Sequence, residues 1–153
     1  MSHPLIDAAI RRHAGTPGGL LPLLHDVQDA LGYVPAEAVP AIADALNLSR
    51  AEVHGVLTYY PFLRTTPPGR HTVRVCRAEA CQAVGGDALM AHAEQRLGCA
   101  PHGITADGAV SLEPVFCLGL CASGPAMAVD ERPHARVTPE RFDQLIDRLR
   151  EPA

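Results

Sequence analysis

Two local cysteine pairs constrain this chain more than any other feature: Cys76-Arg77-Ala78-Glu79-Ala80-Cys81 and Cys117-Leu118-Gly119-Leu120-Cys121. The first is C-x4-C, the second C-x3-C, and Cys81 and Cys117 stand 36 positions apart. No single short loop can surround a metal centre with four sulfurs. Each pair therefore needs its own loop, and the fold must bring the two loops together. Three occupants suit four thiolates: an iron-sulfur cluster, a zinc ion, or two disulfides in a redox protein. The spacing puts iron-sulfur first and zinc second, because zinc pairs are also held at comparable short spacings. The cysteine count is five, an odd number, and a cytosolic chain keeps its thiols reduced, so a disulfide framework comes last.

The neighbouring residues favour the cluster. Phe116, Leu118 and Leu120 supply apolar side chains to wrap the second pair. Gly85, Gly86, Gly119 and Gly124 let backbone amides approach sulfur with no β-carbon in the way. Burial and amide hydrogen bonds are the two influences that set a cluster's potential. Two ferric ions, two sulfides and four thiolates sum to about −2, and one added electron makes about −3, so donors or cations are needed nearby. Arg77 is the available cation, although a solvated surface position suits it slightly better, and Glu79 should point away. Cys99 lacks a partner at ligand spacing and reads as a small buried hydrophobe. The eight histidines show no paired spacing with a carboxylate and read as surface or capping residues. Neither a nucleophile with its base nor a P-loop or dinucleotide fingerprint is present, so the chain by itself should catalyse nothing.

Hydrophobic periodicity divides the chain. Leu5, Ile6 and Ala9 recur at helical spacing, then Leu20, Leu21, Leu24, Val27 and Leu31, with Gly32 to end that helix. Pro35 opens a third helix through Val39, Ile42, Ala43 and Leu46. Ser49-Arg50-Ala51-Glu52 has the form of a capping box ahead of a fourth helix with Val53, Val56 and Leu57. Turn formers at Thr65-Thr66-Pro67-Pro68-Gly69 then mark a boundary, giving a helical bundle over residues 1–66 and a second unit over 67–153. There His71 to Val75 alternates polar and apolar as a strand that delivers Cys76. Asp87 to Leu97 reads as a helix covering a sheet with Ala88, Leu89, Ala91, Ala93 and Leu97. Val110 to Val115 and Ala126 to Val129 read as strands, and Thr138-Pro139 opens a last helix with Phe142, Leu145, Ile146 and Leu149 on one face. Strand, helix, strands, helix is an α/β pattern.

Composition removes other classes. With 47% hydrophobic and 20% charged residues the chain can bury a core, and a net charge of −4 leaves no basic surplus for nucleic acid. No run nears the roughly 20 apolar residues of a membrane span, and the N-terminus has no signal-like segment, so a cytoplasmic location is expected.

The run from Val75-Cys76 to Cys81, followed by Cys117 to Cys121 and Gly124-Pro125 ahead of a strand, resembles the thioredoxin-like 2Fe-2S ferredoxin family. The preceding helices, including Gly55-Val56-Leu57-Thr58-Tyr59-Tyr60, resemble the bundle before this domain in the small NADH-module subunit of respiratory complex I. The resemblance spans about Gly18 to Arg150. Cys76 to Ala83 followed by Gly85-Gly86-Asp87 looks most like the gamma subunit of soluble NAD-dependent molybdenum formate dehydrogenases. It implies an N-terminal helical bundle followed by a thioredoxin-like domain, and a 2Fe-2S cluster on Cys76, Cys81, Cys117 and Cys121. It also implies a partner subunit with FMN, the NAD site and further clusters, and a molybdenum subunit that oxidises formate, with NAD+ as final acceptor. The equivalent subunits of complex I and of NAD-reducing hydrogenases are the alternatives. A zinc-stapled bridging module and a dithiol oxidoreductase are the readings from other classes.

Overall fold

The computed structural model describes residues 3–150, apart from the side chain of Arg150. The chain forms two compact units that divide after Pro67. The first contains four helices: α1 (Pro4–His13), α2 (Leu20–Leu31), α3 (Val39–Leu46) and α4 (Arg50–Tyr59). Gly32 ends α2 in the left-handed region at φ 84°, where a side chain would be strained. Pro35 does not open an α-helix directly. It caps a 3-10 turn at Ala36–Ala38, and α3 proper begins at Val39 with Pro40 in its first turn. The capping box forms as the sequence predicts: Glu52 N–H donates to Ser49 Oγ at 3.2 Å and Ser49 N–H donates to Glu52 Oε2 at 2.7 Å.

Ile6, Ala9, Leu23, Leu24, Val27, Val34, Ile42, Val53 and Leu57 make the core of this unit. One polar side chain lies with them. Gln28 is buried in α2, donates to the Phe62 carbonyl at 2.8 Å and accepts from the Arg64 N–H at 2.7 Å. It thereby fixes the segment that leaves α4, because a buried amide stays inside only when its polar atoms are paired.

The second unit is built on a mixed sheet. Its strands are β1 (His71–Cys76), β2 (Gly103–Ile104), β3 (Val110–Val115), β4 (Met127–Val129) and β5 (Arg132–His134), in the order β2-β3-β1-β4-β5. β1 and β3 are parallel, and the remaining pairs are antiparallel. A parallel pair requires a crossover, which here runs through the short helix α5 (Glu79–Gln82) and α6 (Gly86–Leu97). The last helix is α7 (Pro139–Arg150), with the Arg141 N–H donating to Thr138 Oγ1 at 3.2 Å.

Val73 and Val75, Val110 and Leu112, and Met127 and Val129 alternate by two, so they face one side of the sheet. There they meet Leu89, Met90, Ala93 and Leu97 of α6 and Phe142, Leu145 and Ile146 of α7. Two alanines depart from expectation. Ala88 and Ala91 are exposed and Met90 is buried in their place, because α6 turns a narrower stripe inward than its alanine content suggests. The architecture is an α/β chain: helices α1–α4, then a five-stranded mixed sheet with α6 and α7 on one face. No described helix is long and apolar enough to cross a membrane.

Candidate metal centre

Parallel pairing of β1 and β3 puts Cys76 opposite Val115, so both strands end at the same edge of the sheet. Each then leads into a cysteine loop, as the sequence predicts. Cys76 closes β1, and Cys81 follows within α5. Cys117 comes two residues after β3, and Cys121 opens a 3-10 turn at Cys121–Ser123. Backbone bonds tie the loops to the sheet: Cys76 N–H donates to the Ala126 carbonyl at 3.0 Å, and Arg77 N–H to that of Val115 at 2.8 Å.

All four thiols lie in one place, as two pairs. Cys76 and Cys81 are buried and within hydrogen-bond reach of each other. They pack with Ala126, and Ala78, Val115, Leu118 and Leu120 lie against them. The Cys117 and Cys121 sulfurs are 3.5 Å apart and exposed, and the Gly119 N–H donates to Cys117 Sγ at 3.3 Å. Cys117 adopts φ 91°, a left-handed conformation unusual outside glycine. Such backbone strain persists where the surroundings impose it and tends to mark functional positions. Among the described residues, no three or more His, Cys, Asp or Glu side chains converge on one metal-ion position.

The two loops act on each other's sulfur. Burial opposes ionisation of Cys76, but the Ala78 N–H, the Cys81 thiol and the N–H groups of Cys117 and Leu118 outweigh it and lower the Cys76 pKa. So the second loop contributes amides to a sulfur of the first. Cys81 is pushed the other way by burial and by the neighbouring Cys76, against which the Ala126 N–H works. Cys121 is raised first by its bond with Cys117 and then by that thiol's charge. Closely spaced thiols that cannot all ionise alone, facing amide donors, are a donor set suited to a cationic centre that takes them as thiolates.

The glycines divide by role. A β-carbon on Gly124 would lie 2.8 Å from Val84 Cγ2 and 3.4 Å from Cys81 Sγ. One on Gly86 would lie 2.8 Å from the Cys81 carbonyl oxygen and 3.1 Å from that of Cys76. Gly86 thus lets α6 start directly against the first cysteine loop. Gly119 brings its amide to sulfur, whereas Gly85 at φ 100° serves the turn before α6.

Several expectations are corrected. Phe116 does not wrap the second pair: it is 68% exposed, because β3 has already ended and its side chain leaves the sheet. Leu118 and Leu120 pack against the first pair instead. Arg77 is not a free cation, since its Nε and Nη2 both donate to Asp87 Oδ1, at 3.2 and 3.1 Å. Glu79 is exposed, and Cys99 is only half-buried, with burial and the Glu94 carboxylate pushing its thiol up. Four histidines do meet carboxylates: His13 with Asp26, His71 with Asp130, His92 with Asp143 and His102 with Glu113. Sequence reasoning also missed Ala78 and Ala126, which act through backbone groups and leave no side-chain signal.

Residues 6–150 match the family described as thioredoxin-like 2Fe-2S ferredoxin. The chain is 40% identical over 124 residues to a subunit of the NADH-quinone oxidoreductase of Escherichia coli K12, covering 81% of this chain and 75% of that one. It is 32% identical over 145 residues to an NADH-quinone oxidoreductase subunit of Rhizobium meliloti, covering 95% and 86%. It is 31% identical over 129 residues to a subunit of the NADP-reducing hydrogenase of Solidesulfovibrio fructosivorans, covering 84% and 75%. Among solved structures, the NAD+-reducing NiFe-hydrogenase in its H2-reduced state matches 88% of this chain at 27% identity and a TM-score of 0.70. The chain spans only 23% of that hydrogenase chain.

Proposed function

The chain belongs to the thioredoxin-like 2Fe-2S ferredoxin family, and from that premise we propose that it is an electron-transfer subunit of an NADH-linked complex, with Cys76, Cys81, Cys117 and Cys121 as cluster ligands. The observation that carries this reading is the gathering of four thiols on two loops at one sheet edge, with amides of the second loop turned to Cys76. Two thiolates on each of two loops suit a two-iron group, in which each iron takes one pair. Bound there, the group supplies reversible one-electron storage. The chain's own residues supply the thiolates, the amide donors that offset their charge, and an apolar wall on the Cys76 side. The second pair lies open to solvent, and this is the side on which a partner's redox group would come near.

The complexes that contain these relatives are NADH-quinone oxidoreductases and hydrogenases, and they support a complex I-like or hydrogenase assembly ahead of the formate dehydrogenase suggested by the C-x4-C surroundings. The partner in either assembly is a flavoprotein with FMN, an NAD site and further iron-sulfur clusters. A cytoplasmic compartment, which keeps thiols reduced, suits a centre held by four thiolates. Affinity purification of the tagged chain from its own cells tests the assignment. A flavoprotein that reduces an artificial acceptor with NADH should co-purify, and nickel or molybdenum in the same complex separates hydrogenase from formate dehydrogenase. Recovery of the chain at full occupancy with no flavin would count against the proposal.

A further inference from the structure

Arg77 follows directly on Cys76, and its guanidinium grips the Asp87 carboxylate through two nitrogens at 3.1 and 3.2 Å. Asp87 in turn follows directly on Gly86, where an added β-carbon would lie 2.8 Å from the Cys81 carbonyl oxygen and 3.1 Å from that of Cys76. The pair therefore ties the first cysteine loop to the first turn of α6. Gln82 adds a brace, since its Nε2 donates to the Arg77 carbonyl at 3.0 Å. One added electron takes a site with four thiolates from about −2 to about −3, so a nearby cation favours the reduced state and a nearby anion opposes it. The pair presents one of each.

Resting on the reading above, we propose that Asp87 is a positioning residue that sets the reduction potential of the centre, by holding Arg77 in a fixed ion pair and cancelling most of its charge. The one electron enters from a reduced flavin of the partner or, in the test, from dithionite, and it remains on the iron. No covalent bond in the chain forms or breaks. Asp87→Asn removes the anion and frees the cation, and both changes favour the reduced state and raise the potential. Arg77→Gln removes the cation and leaves the anion unpaired, which lowers it. Both side chains are partly solvated, 38% and 58% exposed, so added salt should shrink both shifts.

The test is a potentiometric titration of the cluster's EPR signal in the whole chain. It compares wild type, Asp87→Asn, Arg77→Gln and Arg77→Lys at two ionic strengths, with iron content and circular dichroism measured on each. The expected result is a rise for Asp87→Asn, a fall for Arg77→Gln, smaller shifts at high salt, and Arg77→Lys nearer wild type than Arg77→Gln. A purely structural role would give shifts of one sign, insensitive to salt, or a loss of iron in place of a shift, and each of these overturns the inference. If Arg77→Gln does not fold, Asp87→Asn against Arg77→Lys decides it: equal potentials in both and in wild type overturn it. A wild-type chain with no signal on reduction defeats the cluster reading, and the inference with it. A normal signal with unmoved potentials defeats the inference alone.

Discussion

Replacing Gly86 with alanine tests whether the first cysteine loop is held against the start of α6. The new β-carbon would lie 2.8 and 2.9 Å from the Cys81 carbonyl oxygen and carbon and 3.1 Å from the Cys76 carbonyl oxygen. These are backbone atoms of two proposed ligands, so relief requires the loop to shift rather than a side chain to turn. Inserting a methyl into a packed site costs about 1–3 kcal/mol. Lower chain entropy in the unfolded state returns about 0.4–1 kcal/mol. The net effect is a loss of about 1–2 kcal/mol, and each kcal/mol lowers the melting temperature of a unit this size by about 4–8 °C. Gly55 provides the control, because a β-carbon there meets nothing within 4 Å and it lies inside α4. Gly55→Ala should stabilise by about 0.5–1 kcal/mol. The assay is thermal unfolding by circular dichroism, with iron and sulfide bound per chain measured alongside. Gly86→Ala should melt lower and bind less iron. A Gly86→Ala protein as stable as Gly55→Ala, with full iron, would refute the close approach.

Phe142 is fully buried between α7 and the sheet, with His92 edge-on at 5.7 Å between centroids, so Phe142→Ala should cost about 3–5 kcal/mol in denaturant unfolding. Gln28→Met removes the hydrogen bonds to the Phe62 carbonyl and from the Arg64 N–H, and at about 0.5–1.5 kcal/mol for each lost bond it should destabilise the helical unit measurably in the same assay. Ser49→Ala removes the cap of α4 and should cost about 1 kcal/mol. The Ser49 N–H and hydroxyl hold the Glu52 carboxyl below its ordinary 4.5. A carboxyl lowered by folding stabilises above its unfolded pKa and loses that contribution as pH falls through the folded value. The stability difference between wild type and Glu52→Gln should therefore be present at neutral pH and vanish in acid below about pH 4.5. A difference independent of pH would contradict it.

Helices with long periodic faces were legible from residues alone, because burial of one stripe imposes the 3.6-residue period on α2, α4 and α7. The capping box was legible for a similar reason, since both halves lie within one turn. β2 and β5 were not. β2 has two residues and its Ile104 is exposed, while β5 is an edge strand carrying Pro133, so neither shows the alternation that marks a strand. The two cysteine loops were legible as a site because the strands ahead of them carry clear alternation and end at the same sheet edge. The surroundings were less so. Phe116 reads as a wrapping residue by adjacency, yet adjacency does not say on which side of a loop a side chain leaves the backbone. The histidine-carboxylate pairs join positions 11 to 59 residues apart, a distance over which local spacing carries no signal. Asp87 was invisible in the same way: only the approach of Gly86 to the cysteine loop brings it to Arg77.

The measurement that tests the central claim most directly is low-temperature EPR of the anaerobically purified chain before and after dithionite, with iron, zinc and acid-labile sulfide assayed on the same sample. A silent oxidised state that yields one rhombic S = 1/2 signal on reduction, with iron and sulfide present at two per chain as a 2Fe-2S centre requires, is the expected result, and Cys121→Ser should diminish it. A sample silent in both states, holding one zinc per chain and no sulfide after expression in cells competent to build clusters, would contradict the account and make the four thiols a structural site.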